Sequence, residues 1–294
     1  QENPNKIESE YYFTDESSLE IYTNGFIRSF ATAIKSFVDG DKNADTHSWD
    51  GQAAYFMDNY SADDATNWTT SNWSQLRSIN FYLDNMRKAD APEAVLNHYE
   101  GVGRFFRALF YFEKVRKYGD IPYYDFVIPS NDWASLKRPR DSRGFVMKKV
   151  MEDLDRAITD LPDNWPSDAL YRLSKNAARA MKARAALYEG TFRKYHGIDL
   201  PENDWKYYLD LSAKASEEFI TNSGYGLYTS GGTQTAYRDL FVSEDAQQIE
   251  VVLARDYNKG LSVFHNSTFY SLNTSYGRPG LTRKIVASYL MADG

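Results

Sequence analysis

Two kinds of side chain in this 294-residue sequence could do chemistry: clustered carboxylates, and aromatic rings standing in polar loops. Carboxylate pairs occur at Asp63-Asp64, at Asp153 with Asp155 and at Glu217-Glu218. A glycosidase uses two such groups as acid and base, about 5–9 Å apart across the scissile bond. Closeness in sequence does not create that separation, so the pairs read as solvated helix faces or caps. The stretch from Asp39 to Asp45, with Asp50 in twelfth position, imitates a calcium loop. Ala44 stands where such a loop needs glycine and Asp50 where it needs a bidentate glutamate. It reads as a Gly- and Asp-rich turn, and no metal site is predicted. His47, His98, His196 and His265 are scattered, without the spacing of a metal pair, and neither GxSxG nor a phosphate loop occurs. With no cysteine, disulfides, thiolate catalysis and zinc-thiolate sites are excluded. The expectation is a protein without catalytic residues or cofactor.

The aromatic rings carry more. Aromatic residues make up 16% of the chain, with 23 Tyr and 6 Trp, and so many polar-tipped rings require water or partners at their edges. Trp49 and Trp68 sit in polar loops, Trp49 near Asn43, Asp45 and Asp50, and Trp68 near Asn67 and Asn72. An indole beside amides and carboxylates suits a sugar, whose C–H face stacks while its hydroxyls hydrogen-bond. The other reading, a loop tucking its Trp back onto the fold, stays open for both. Tyr270 and Tyr276, in an irregular late segment, complete the candidate ligand set of Trp49, Trp68, Asn72, Tyr270 and Tyr276. Trp73, at the head of a helix, is read as core. The net charge of −7 argues against nucleic acid, which needs a basic surface. No stretch approaches the ~18 apolar residues of a membrane span.

The elements that must position these residues are mostly helical. Thr14 to Ser17 offers caps for a helix to about Val38, with Leu19, Tyr22, Phe26, Phe30, Ala33 and Phe37 at helical spacing. A short helix is expected from Ala53 to Tyr60, then helices over 71–88, 92–118, 142–161, 174–195 and 204–222. Gly119 is placed for a C-terminal cap. Short links make neighbours antiparallel, pairing 71–88 with 92–118 and 142–161 with 174–195. Ala108-x-x-x-Phe112 fits part of a tetratricopeptide helix pattern. After Gly224 the pattern changes: Gly231-Gly232 reads as a loop, Ile249 to Ala254 as a strand, 256–280 as irregular and aromatic, and Pro279 to Leu290 as a last helix. Residues 1–294 are thus expected to form one domain, with a helical scaffold over 15–222 and an irregular ligand-binding region beginning at 223.

The stretch 101–124, GVGRFFRALFYFEKVRKYGDIPYY, is similar to the pattern ARFLRAYYYFxLVxxYGDVPL of the SusD/RagB family. Further blocks agree in order. NPNKIESEYYFTDESSLEIYTNGF resembles that family's mature N-terminus, and WSQLRSIN resembles, loosely, its W-x-x-x-Y-x-x-I-x-x-A-N block. RPRDSRGFVMKKVMEDLDRAITDLP and SKNAARAMKARAALYEGTFRKY match two more, AQQIEVVLA resembles a strand block, and IVASYLMADG resembles Y-x-M-x-D-G. The resemblance implies a mostly α, SusD-like fold with degenerate tetratricopeptide-like helix pairs and an irregular ligand-binding region. It makes the greasy 101–124 stretch scaffold: Phe105, Phe106, Leu109 and Phe112 become a packed seam, with Arg104 and Arg107 buried against carboxylates or carbonyls.

It also implies a cell-surface lipoprotein of the outer membrane that captures glycan for import by a SusC-like TonB-dependent transporter. Membrane contact would come only through an N-terminal lipid anchor, on a cysteine just before Gln1. The start itself, QENPNKIESEYYF, reads as a chain cut after a removed leader. Family members are longer, so a C-terminal portion is expected to be missing. A RagB-like peptide binder and a tetratricopeptide scaffold gripping a peptide tail are the alternatives. An all-helical glycosidase is disfavoured because no acid/base pair stands out.

Overall fold

Ser142, Ser174 and Asp204 each turn a side-chain oxygen onto the backbone N–H three residues on. Phe145, Ala177 and Tyr207 are the donors, at 3.1, 3.3 and 2.8 Å. Each bond satisfies a donor that a helix start leaves orphaned, so the helices begin where the sequence supplies a short polar residue. A computed structural model describes residues 12–27, 46–48, 61, 68–165, 169–258, 260, 262–264, 273, 275 and 280–289. Along these run α1 (Glu16–Ile27), α2 (Thr70–Asn85), α3 (Glu93–Tyr118), α4 (Trp133–Leu136) and α5 (Arg143–Asp160). Then come α6 (Lys175–His196), α7 (Trp205–Asn222), α8 (Gly232–Val242) and α9 (Arg283–Ala287). Among the described residues the strands are two residues each, β1 (His47–Ser48) and β2 (Gly280–Leu281), antiparallel with His47 opposite Leu281. The mostly helical expectation holds. No helix among the described residues is long and apolar enough to cross a membrane.

Two compact units divide the chain, one of residues 1–26 and 73–254, the other of 27–72 and 255–294. In the first, α3 lies along α5, α5 along α6, and α6 along α7, each antiparallel to the next. The expected neighbours α2 and α3 meet instead through long side chains. Tyr82 Oη donates to the Tyr99 carbonyl at 3.1 Å, and Trp73 packs edge-on to Phe110 with ring centres 5.6 Å apart. Trp73 is thus half-buried scaffold, as its helix position suggests. Phe13, Tyr22 and Phe26 bring α1 onto the same layer, with Tyr22 stacked on Tyr82 at 5.5 Å and 12°. Such ring pairs contribute about 0.5–1.5 kcal/mol each beyond the area they bury.

The α6–α7 contact depends on Gly190. A methyl carbon there would stand 2.8 Å from Leu209 Cδ2 and 3.0 Å from the Trp205 carbonyl oxygen, which cannot swing aside. Gly190→Val is expected to lower stability by about 3 kcal/mol, the upper end of overpacking costs. At Gly25 in α1 nothing lies within 4 Å of an added carbon. Gly25→Ala should therefore stabilise by about 0.5–1 kcal/mol through backbone entropy. Urea midpoints of the two variants, moving in opposite directions, check this.

Arginine is buried in two clusters. Arg107 forks onto Asp153, Nε and Nη2 each 2.7 Å from a carboxylate oxygen, and Arg104 adds a bond at 3.1 Å. Burial works against the Arg107 charge, but Asp153 outweighs it and holds the guanidinium proton above its ordinary value. Beside it, Glu100 bonds Arg104 at 2.8 Å and Arg87 at 2.6 Å. The second cluster centres on Glu189 in α6. It takes Arg143 at 2.6 Å and Arg193 at 2.7 Å, and Arg193 also donates to the Glu202 and Asn203 carbonyls. The Arg143 guanidinium lies 3.9 Å over the Phe192 ring. Arg104 and Arg107 thus have the partners expected of them, while Phe105, Phe106 and Phe112 form the buried seam and Leu109 is only half-buried.

Burial pushes the Glu100 carboxyl up, but Arg87 and Arg104 overcome it and hold the group below its ordinary value. A carboxyl depressed on folding stabilises above its unfolded pKa and loses that contribution as pH falls through the folded one. Glu100→Gln should accordingly flatten the acid limb of the stability profile below the usual carboxylate range, read as Tm against pH.

Several expectations are corrected. Residues 249–254 form no strand. Glu250 and Val251 both donate to the Gln247 carbonyl, closing a turn, and neighbouring backbone offers isolated bonds rather than a ladder. Gly231, at φ 87°, is the N-cap of α8, so the expected loop opens a helix. Pro279 to Leu290 is not one helix: β2 precedes Thr282, whose side chain caps the five-residue α9. Asp153 is no solvated face but the buried partner of Arg107. The expected continuation of α1 to Val38 and the helix from Ala53 to Tyr60 lie outside the described residues.

Candidate functional site

Trp68 stands immediately before α2, in the unit of residues 27–72 and 255–294. The helix start beside it is held by Asn72. From the third helical position its Oδ1 accepts the Thr69 backbone N–H at 3.1 Å and the Thr69 hydroxyl at 2.6 Å. That is half of a capping box, with asparagine in place of glutamate. Thr69 and Ser71 hydroxyls lie 2.8 Å apart on the same turn. Trp68 keeps 38% of its surface exposed. The result is a part-exposed indole on a rigid helix entry, flanked by hydroxyls and an amide. Asn72 spends its oxygen on the helix and has its Nδ2 left as a donor, which a ligand acceptor could use.

β1 and β2 belong to this unit as well. The Thr282 N–H donates to the Thr46 carbonyl at 3.0 Å, extending the two-residue ladder. The segment directly before Trp49 is therefore paired with one that follows Tyr276 in the chain. Trp49, Tyr270 and Tyr276 themselves lie outside the described residues, as do most of the Asp39–Asp50 turn and the Asp63-Asp64 pair.

The remaining sequence candidates are occupied elsewhere. Asp155 pairs with Lys182 at 2.5 Å and Glu218 with Arg179 at 4.0 Å, both on exposed faces. His98 sits edge-on to Trp165, 5.9 Å between ring centres, and burial pushes its pKa down. His196 leans on Phe192 at 4.5 Å. Among the described residues no cluster of His, Asp or Glu could hold a metal ion. Sequence reasoning missed Asp153 and Glu189 as the partners of buried arginine. An acidic residue on the apolar stripe of α5, and another four residues before Arg193 in α6, were the available signals.

Comparison with known proteins follows the same lines. A family model for SusD-like proteins, described as starch-binding and associating with the outer membrane, matches residues 5–187. SusD-like protein P2 of Formosa agariphila is 31% identical over 144 residues, which cover 47% of this chain and 28% of that protein. Among solved structures, a SusD-like protein from Bacteroides fragilis superposes with a TM-score of 0.66 at 22% identity, covering 84% of this chain and 46% of that one. A laminarin-binding SusD-like protein gives 0.61 at 17% identity, covering 82% and 51%. The chain thus spans about half the length of these solved relatives, and at such identities they establish a shared fold.

Proposed function

The chain belongs to the SusD-like family, and we propose that it is a cell-surface lipoprotein of the outer membrane that captures oligo- or polysaccharide without cleaving it. It hands the glycan to a SusC-like TonB-dependent transporter. The observation that carries this reading is the family match over 5–187, which runs from before α1 into α6 and includes Trp68. One fold relative is a laminarin-binding protein, which agrees with it. The chemistry of the described site supports it too: a part-exposed indole beside an amide suits a neutral sugar ring better than an ion.

The same residues support a reading without turnover. Asp153, Asp155 and Glu218 are engaged by arginine or lysine, so none of them offers a free acid/base pair. A polysaccharide array and affinity electrophoresis with the full-length protein test the reading. Retardation by at least one neutral polysaccharide is expected, with no reducing ends released beyond a blank. Hydrolysis abolished by one Asp or Glu substitution would make the protein an enzyme. Failure to bind any glycan, together with capture of peptides, would make it a peptide carrier.

A further inference from the structure

A cavity of about 300 Å³ lies in the first unit, where the chain leaves α7, and is lined by Asn164, Leu170, Gly224, Tyr225, Gln248 and Ile249. Its walls come from three separated stretches tied by backbone bonds. Gly226 N–H donates to the Ile249 carbonyl at 2.8 Å and Ala254 N–H to the Leu170 carbonyl at 2.9 Å. Gly224, at φ 75°, turns the chain, and the Ser223 hydroxyl takes the Tyr225 N–H at 3.1 Å. Tyr225 lies flat against Phe219, ring centres 5.5 Å apart at 13°, so its ring is fixed before any ligand arrives. Burial pushes its phenol above the ordinary value.

The polar groups at this cavity are unspent. The side-chain amides of Asn164 and Gln248 and the Tyr225 hydroxyl have no hydrogen-bond partner among the described residues. No charged side chain lines the walls. The nearby Glu250 carboxylate is committed to the Tyr228 N–H at 2.7 Å. An ion entering here would meet no counter-charge on the walls. A neutral ring bearing hydroxyls fits better: amides both donate to and accept from hydroxyls, while Tyr225, Leu170 and Ile249 offer apolar surface to C–H faces. The volume stands at the lower end of the about 300–1,000 Å³ of ligand pockets, room for one or two rings rather than a threaded chain.

We propose that this cavity is a carbohydrate subsite for a single neutral sugar unit, such as a chain end or side branch, with Tyr225 as the stacking platform and Asn164 and Gln248 as the hydroxyl readers. The proposal rests on the carbohydrate-binding reading above and adds to it a site whose lining residues all belong to the first unit.

Methyl glucopyranoside, galactopyranoside and mannopyranoside, titrated into the full-length protein by saturation-transfer NMR, provide the test. At least one should bind, and Tyr225→Ala and Gln248→Ala should each weaken it at least about fivefold. Tyr237→Ala, at an exposed position of α8 outside the lining, should leave it unchanged. Gln248 is exposed, so its variant reports on binding even if Tyr225→Ala destabilises the fold. Pyranoside binding indifferent to both lining substitutions overturns the proposal, as does displacement by N-acetyl-trialanine amide rather than by sugar. Polysaccharide retardation without any pyranoside binding overturns this subsite and leaves the family-level reading standing. Loss of both overturns the two together.

Discussion

Glu189→Ala is expected to cost about 3–5 kcal/mol of folding stability, the range for removing one partner of a buried ion pair. Glu189 is wholly buried and joins two arginines that are nearly so, Arg143 with 7% and Arg193 with 0% of the side chain exposed. Removing the carboxylate leaves two guanidinium groups facing each other without water. Their remaining bonds, to the Val115, Glu202 and Asn203 carbonyls, are to neutral acceptors. Glu189→Gln keeps the shape and one acceptor, and should fall between wild type and alanine. The exposed pair Arg116–Glu113, with 40% and 54% of the side chains accessible, is the control. Glu113→Ala should change stability by less than about 1 kcal/mol. Denaturant midpoints measure all three. A Glu189→Ala midpoint within the error of wild type would mean that water or a rearranged carbonyl replaces the carboxylate, and that this cluster does not hold α5 to α6.

The difference between these two glutamates also marks what a sequence displays. Both precede an arginine at helical spacing, and nothing local separates Glu189 from Glu113. Burial decides, and burial comes from α5 and α7 arriving on either side. Helix starts were legible because Ser142, Ser174 and Asp204 act on their own next turn. The greasy α3 was legible as scaffold because so apolar a circumference has to be covered, and its arginines then had to find carboxylates. Ile249 to Ala254 misled because β-branched residues indicate fitness for a ladder without supplying a partner strand. The cavity around Tyr225 was invisible for the same reason: Asn164, Tyr225 and Gln248 converge only through tertiary bonds. Around Trp68, residue types pointed to Trp68 and Asn72 as ligand candidates, but not to the capping task that occupies the Asn72 oxygen.

That division of labour shapes the second large effect, on glycan affinity. Trp68→Ala in the full-length protein should weaken binding of the retarded polysaccharide at least about fivefold and leave Tm nearly unchanged. Stacking of a ring on an aromatic face contributes roughly 1–3 kcal/mol by analogy with base stacking, or ~5- to 150-fold in affinity. An indole with 38% of its surface exposed has part of a face available for that contact, and less packing to lose than a core residue. Trp68→Phe, which keeps a smaller face, should lie between. Added salt should matter little because the contact carries no charge. Asn72→Ala separates binding from support: it removes the bonds to Thr69 and should lower stability by about 0.5–2 kcal/mol, as loss of a cap does. Any affinity it loses beyond that of a Thr69→Ala variant, which disturbs the same helix start, belongs to the free Nδ2 donor. Wild-type affinity in Trp68→Ala, or affinity lost only in step with unfolding, would make the indole a structural group and move glycan capture elsewhere on the chain.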